Sequence, residues 1–195
     1  MSIATNLAPP VVAVLVTKEP GAWFDEVLDG LVAQDYENLR VLAIDRGDRP
    51  IASQVLDKIP EAVVSQAADS KGFGDAANKV QTLVEGCTFY LFLHDDVALA
   101  PDAVSFLVAE ALESNAGILG PKILRWDDPS RILEMGGTID AFGVLTPYVE
   151  SGELDQQQHD RVRDAFVISS TAMLVRADLF EMIEGFDPRI KAIGE

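Results

Sequence analysis

Uninterrupted apolar runs alternate along this chain with segments whose apolar residues recur at helical spacing. A continuous run reads as a strand buried on both faces, whereas a period near 3.6 reads as a helix that buries one stripe. VVAVLVT (11–17) is the first run. Beyond a turn at Pro20 and Gly21, the pairs Trp23/Phe24, Val27/Leu28 and Leu31/Val32 recur every four residues and predict a helix ending near Gln34. RVLAID (40–45) is the second strand, and it ends in an aspartate.

Residues 51–59 predict a short helix stopped by Pro60, and 62–65 a brief strand. Gly72 and Gly74 predict a loop, followed by a helix over 75–85 with Ala76, Val80 and Val84 four apart. FYLFLHDD begins the next strand at Phe89, and Pro101 and Asp102 suit the first turn of a helix in PDAVSFLVAEALE. The second half is less regular. AGILGPKIL predicts a strand running into a Gly/Pro corner, 126–158 is polar and rich in Gly and Asp, FVISSTAMLV (166–175) predicts a buried strand, and ADLFEMIEGFD a short helix closed by Gly185. Strands alternating with helices predict an α/β layered domain with a mostly parallel sheet. No internal repeat, low-complexity tract or linker divides the chain, so residues 1–195 are read as a single domain.

With 195 residues, 48% of them apolar, the chain encloses one sizeable core. Its formal net charge of -17, with no block of lysines or arginines, argues against a nucleic-acid partner. The same charge repels an anionic ligand unless a cation or a local set of donors intervenes. A single cysteine, Cys87, excludes an internal disulfide and fits a reducing compartment, where it serves as a small hydrophobe. MSIATNLAPP lacks the charged and apolar regions of a secretory signal, and no window approaches the ~18 apolar residues of a membrane span. A cytoplasmic location is expected, with no membrane span in this segment.

Three strand ends carry the candidate chemistry: Thr17 with Lys18 and Glu19, Asp45, and His94 with Asp95 and Asp96. In an open α/β sheet, ligands bind in the crevice beyond the carboxyl ends of the strands. Adjacent carboxylates about 4 Å apart cost on the order of 4 kcal/mol at an effective dielectric near 20. A hard divalent cation, Mn²⁺ or Mg²⁺, removes that cost and then attracts a diphosphate. An alternative stays open for each residue. An Asp pair after a strand commonly caps a turn, Asp45 in DRGDRP suits an Asx turn, and His94 suits a hydrogen-bonded structural role. No dinucleotide fingerprint, P-loop or nucleophile-elbow serine is present.

The order of segments resembles family 2 glycosyltransferases of the GT-A fold over nearly the whole chain. VVAVLVT, AQDYENLRVLAID, SKGFGDAANKV, FYLFLHDDVAL at the DXD position, GPKIL, and ISSTAMLVRADLFEMIEGFDPRIKAIGE follow that family's succession. The resemblance implies a Rossmann-like layered fold with a mostly parallel central sheet, the nucleotide-diphospho-sugar transferase architecture. It implies a metal-dependent, inverting transfer from a nucleotide-diphosphate sugar donor to a glycan or lipid-linked acceptor of the cell envelope. Thr17, Glu19 and Asp45 would line the base pocket, with Lys71 and Asn78 nearby. Asp95 would contact the ribose or sugar, and Asp96, with His94 beside it, would hold Mn²⁺ or Mg²⁺. Glu195 would be the catalytic base.

Three departures stand out. His94 replaces the first DXD aspartate, Thr-Lys-Glu replaces the frequent Thr-Tyr-Asn, and the chain stops at AIGE without the second acidic residue of the base motif. An N-terminal part of a longer enzyme is therefore expected, impaired in transfer and possible at the inner membrane face through its missing portion. A non-catalytic nucleotide-sugar or partner-binding module is the alternative. A nucleotidyltransferase would need a Gly-rich basic loop after the first strand, which TKEPGAW does not supply.

Overall fold

The computed structural model describes residues 8–190. The first half builds strands and helices in strict alternation: β1 (Val11–Thr17), α1 (Phe24–Val32), β2 (Leu39–Asp45), α2 (Ala52–Lys58), β3 (Val63–Gln66), α3 (Phe73–Ala77), α4 (Val80–Leu83), β4 (Phe89–His94) and α5 (Ala103–Ser114). The second half adds β5 (Ile118–Leu119), β6 (Ile123–Leu124), β7 (Ile132–Glu134), β8 (Gly137–Ile139), β9 (Leu145–Pro147), β10 (Ala172–Arg176) and α6 (Ala177–Met182). Among the described residues the main sheet has six strands in the order β3-β2-β1-β4-β10-β5, with two small two-stranded sheets, β6-β7 and β8-β9. β3, β2, β1 and β4 are parallel, and β10 runs antiparallel to both β4 and β5. This is the mostly parallel α/β sheet that the alternating pattern predicts.

β1 is central and buried at all seven positions, which is why its sequence is an unbroken apolar run. Alternate residues serve two cores. Val11, Ala13 and Leu15 join Leu91 and Leu93 against Phe24, Val27 and Leu28 of α1, Val55 of α2 and Val104 and Val108 of α5. Val12, Val14 and Val16 join Tyr90 and Phe92 against Phe73, Ala76, Val80 and Phe180 on the other face. Each fully buried aliphatic or aromatic side chain stabilises the fold by about 1.5–3 kcal/mol relative to exposure. Trp23 and Val32, the outer members of the predicted α1 stripe, remain 45% and 57% exposed, so the buried stripe is one residue narrower on each side.

The expected loop at Gly72 and Gly74 with a helix over 75–85 is corrected. The helix begins at Phe73, includes Gly74, and gives way to α4 through a tighter turn, with Lys79 N–H donating to Ala76 O and Gln81 N–H to Asn78 O. Gly74 is there because a Cβ would lie 2.8 Å from Phe186 Cβ, closer than packing allows. The expected strand over 166–175 is also shorter. Phe166 is 72% exposed, and Ser169 and Thr171 hydrogen-bond each other at 2.7 Å through their hydroxyls. Local side-chain bonding of this kind competes with the ladder, which starts only at Ala172. The unassigned polar stretch 126–158 holds β7, β8 and β9. Cys87 is half-buried, and that burial pushes its thiol up. Among the described residues no helix is long and apolar enough to cross a membrane.

Candidate functional site

α1 and α2 carry the chain from β1 to β2 and on to β3, stepping to one side of β1, while β4 lies on its other side. The loops leaving β1 and β4 therefore diverge, which opens a crevice at the carboxyl end of the sheet. Thr17 is paired with Asp45 in the β1–β2 register and Val16 with His94 in the β1–β4 register, so the three polar strand ends lie in line. β2 and β4 are two strand spacings apart, about 10 Å. Across the crevice, Lys18 N–H donates to Asp95 Oδ2 at 3.0 Å and ties the two loops together.

Asp45 is fully buried, and its carboxylate is held by three donors of the chain. Gly47 N–H donates to Oδ1 at 2.9 Å, while Ile51 N–H and Gln66 Nε2 donate to Oδ2 at 3.2 and 2.8 Å. The first of these is the Asx turn that the sequence offered as the alternative. A carboxylate has about four lone-pair positions, so one is left. Gly47 is required by close approach, since a Cβ there would sit 3.2 Å from Glu19 N and 3.3 Å from Asp45 Oδ1. Glu19 itself has φ 54°, a left-handed conformation costing about 1–2 kcal/mol for a residue with a side chain. Beside it, the enclosed Thr17 Oγ1 has no hydrogen-bond partner among the described residues. Strain and an unsatisfied hydroxyl at one strand end mark a place shaped for something other than stability.

Residues 67–72 arch along the same rim. Ala67 N–H donates to Asp45 O at 2.7 Å, Arg46 Nε donates to Ser70 Oγ at 3.2 Å, and Lys71 N–H donates to Asp75 Oδ2 at 2.8 Å. The arch ends at Phe73, whose ring lies 4.3 Å from that of His94, centroid to centroid. His94 lies two residues beyond Phe92 and so on the same face of the sheet, away from Thr17 and Asp45, and its Nε2 is 3.4 Å from Ser170 Oγ. Lys71 and Asp96 are exposed, and neither side chain makes a hydrogen bond or ion pair among the described residues.

Thr17, Glu19, Asp45, Lys71, His94, Asp95 and Asp96 thus share one rim. Asn78 does not face it: Asn78 Nδ2 donates to Phe186 O and Phe186 N–H donates to Asn78 Oδ1, both at 2.8 Å. That bracket, with Gly185 at φ 79° and Phe186 packed on Phe73, Phe92 and Phe180, fixes the EGFD segment on the sheet. Glu195 lies outside the described residues. Sequence reasoning missed Gly47, Gln66, Ser70 and Ser170. Gly47 carried a signal, a glycine two residues after a strand-end aspartate. The other three are unreactive polar residues that matter through position alone.

Among the described residues no three His, Cys, Asp or Glu side chains converge as a complete cation site. Mg²⁺-type ions are commonly held by one or two carboxylates plus substrate phosphates. The unpaired Asp96 carboxylate, one residue beyond Asp95 at the crevice, suits such a partial donor set, with the His94 imidazole the neighbouring nitrogen.

Comparison with solved structures places this architecture among GT-A glycosyltransferases. S. aureus TarS 1-349 superposes with a TM-score of 0.64 at 20% identity, over 94% of this chain and 52% of that one. TarS 1-349 in complex with UDP-GlcNAc gives 0.61 at 18% identity, over 90% of this chain and 47% of that one. The mannosyltransferase PcManGT from Pyrobaculum calidifontis, in complex with GDP-Man and Mn²⁺, gives 0.62 at 14% identity, over 95% and 49%. The chain spans about half the length of these structures. No curated protein matches it. The sequence profile of "Glycosyl transferase family 2" matches residues 12–183, and with that match over most of its length the chain belongs to glycosyl transferase family 2.

Proposed function

We propose that the chain binds a nucleotide-diphosphate sugar across the carboxyl rim of β2, β1 and β4 and serves transfer of the sugar to a hydroxyl of a glycan or lipid-linked acceptor, with inversion. The observation that carries this reading is the alignment at the crevice: Asp45 at the end of β2, Thr17 at the end of β1 between, and Asp95 and Asp96 just beyond β4, two strand spacings or about 10 Å from β2. A nucleoside bridges such a gap between its base and its phosphates. The ligands of two similar structures, UDP-GlcNAc and GDP-Man with Mn²⁺, support the same ligand class.

In this reading Asp45 is a positioning residue for the base pocket, because its oxygens hold Gly47, Ile51 and Gln66. Thr17, Glu19 and Gly47 wall that pocket. Asp95 orients the ribose or sugar while remaining tied to Lys18, and the unpaired Lys71 ammonium supplies a positive charge along the rim. Asp96, with His94 beside it, would hold Mn²⁺ or Mg²⁺, which when bound would supply Lewis-acid stabilisation of the diphosphate. The acceptor oxygen attacks the anomeric carbon as the bond to the diphosphate oxygen breaks, and the acceptor proton passes to a carboxylate base. Glu195 is assigned that base by the family resemblance alone.

Thermal melts with UDP or GDP, with and without Mn²⁺, test the reading. Ligand at a hundred times Kd stabilises by about 2.7 kcal/mol, or roughly 5–11 °C for a domain of this size. No shift with either nucleotide would overturn it, while binding without sugar transfer would leave a non-catalytic nucleotide-sugar module.

A further inference from the structure

Beyond β4 on the same rim lies a second polar feature that the nucleotide reading does not use. Glu134, the last residue of β7, has its Oε1 shut off from solvent with no hydrogen-bond partner among the described residues. It lines a cavity of about 10 Å³ together with Gly120, Pro121, Gly136, Ile168 and Ser169. That volume admits one water-sized group. Among the described residues no lysine, arginine or histidine lines the cavity, so the carboxylate meets no counter-charge from them there. A neutral O–H donor is the group that suits it.

The cavity is built rather than incidental. Gly137 N–H donates to Val167 O at 3.0 Å, Val167 N–H donates back to Gly137 O at 3.0 Å, and a Cβ on Gly136 would meet Val167 O at 2.8 Å. This close crossing fixes Glu134, two residues before Gly136, against Ser169, two residues after Val167. The 169–171 turn is in turn joined to the rim, since His94 N–H donates to Thr171 O at 3.1 Å. Strand order then orders the ligand: base at β2 and β1, diphosphate at the end of β4, and the next group toward the segment entering β10, one strand spacing further. In a nucleotide-diphosphate sugar that next group is the sugar.

We infer that Glu134 Oε1 accepts a hydrogen bond from a hydroxyl of the donor sugar, and that Glu134 with the 169–171 turn determines which sugar the site accepts. The inference rests on the proposed nucleotide-sugar reading. It assigns a specificity-determining residue in a region of irregular sequence.

The test is calorimetric binding of UDP, UDP-GlcNAc, GDP and GDP-Man, each with Mn²⁺, to wild type, Glu134→Gln and Glu134→Ala. For the pair that wild type binds, the preference for nucleotide sugar over bare nucleotide should fall about tenfold or more in both variants, with affinity for the bare nucleotide unchanged, as expected for a lost hydrogen bond to a charged group. A preference unchanged within twofold, with nucleotide binding intact, would overturn the inference alone and leave a buried water as the partner of Glu134. Failure of wild type to bind any of the four ligands would overturn the underlying reading as well. Removing an unsatisfied carboxylate should leave the melting temperature of the free protein equal or higher. A drop of several degrees in both variants would make Glu134 a structural residue and overturn the assignment.

Discussion

Asp45→Asn separates a residue that organises the site from one that merely faces it. The buried carboxylate serves two buried backbone donors through different oxygens, Gly47 N–H on Oδ1 and Ile51 N–H on Oδ2. An asparagine has one carbonyl oxygen, so in either amide orientation one of these N–H groups faces an NH₂ and is orphaned. Gln66 can rotate its own amide and adapts. One orphaned buried N–H costs about 1–3 kcal/mol, which for a chain of this size lowers Tm by roughly 2–12 °C. Asp45→Ala orphans both donors and should cost about twice as much. Asp96→Asn is the comparison, because the exposed and unpaired Asp96 should change stability by no more than about 0.5 kcal/mol while weakening metal-assisted nucleotide binding. Chemical denaturation of the three variants with a common m-value reads these differences directly. If Asp45→Asn unfolds at the same denaturant midpoint as wild type, the carboxylate does not hold the 46–51 loop as described.

Two further outcomes are expected. Asn78→Ala removes both hydrogen bonds to Phe186 and should destabilise by about 1–3 kcal/mol in denaturant unfolding, with faster amide exchange at Phe186 as the local signature. Asp187 is held down to about 2 by the side-chain hydrogen bonds of Arg189, with the Arg189 backbone N–H adding to them. A depressed carboxyl contributes stability that is present above its ordinary value near 3.8 and lost as pH falls through about 2. Carbon-detected titration should place Asp187 near 2 in wild type and closer to the ordinary carboxylate value in Arg189→Gln, which keeps only the backbone N–H, and the same value in both would show that the side-chain pair does not form.

The sequence made the first half legible because its strands sit in the middle of the sheet. VVAVLVT matches β1 residue for residue, since burial on both faces leaves no polar position to blur the ends. FVISSTAMLV has the same apolar look, yet the strand is confined to Ala172–Arg176 because the Ser169 and Thr171 hydroxyls bond locally, which composition alone does not reveal. β7, β8 and β9 have three residues each, too short for any periodicity to register, and Gly136 answers to a crossing with residue 167 that is remote in sequence.

For the site, the strand-end aspartates were legible as a group that the parallel register brings to one rim. What the sequence left open was direction and partnership. His94 turns to the face opposite Thr17 and Asp45 because strand alternation combines with a register set by β1. Asp45 is engaged by its own loop, whereas Asp96 is not. Both facts depend on neighbours in space. Asn78 shows the same limit, since its position in a family-like segment says nothing of Phe186, 108 residues away.

Localising bound nucleotide by amide chemical shifts tests the central claim most directly. Titration with UDP or GDP should move the amides of Lys18, Glu19, Gly47 and Asp95, and added Mn²⁺ should broaden Asp95 and Asp96 only when nucleotide is present. Shifts centred instead on Arg40 and Val63, at the opposite ends of β2 and β3, or manganese broadening that ignores nucleotide, would contradict a diphosphate site at the junction of β1 and β4.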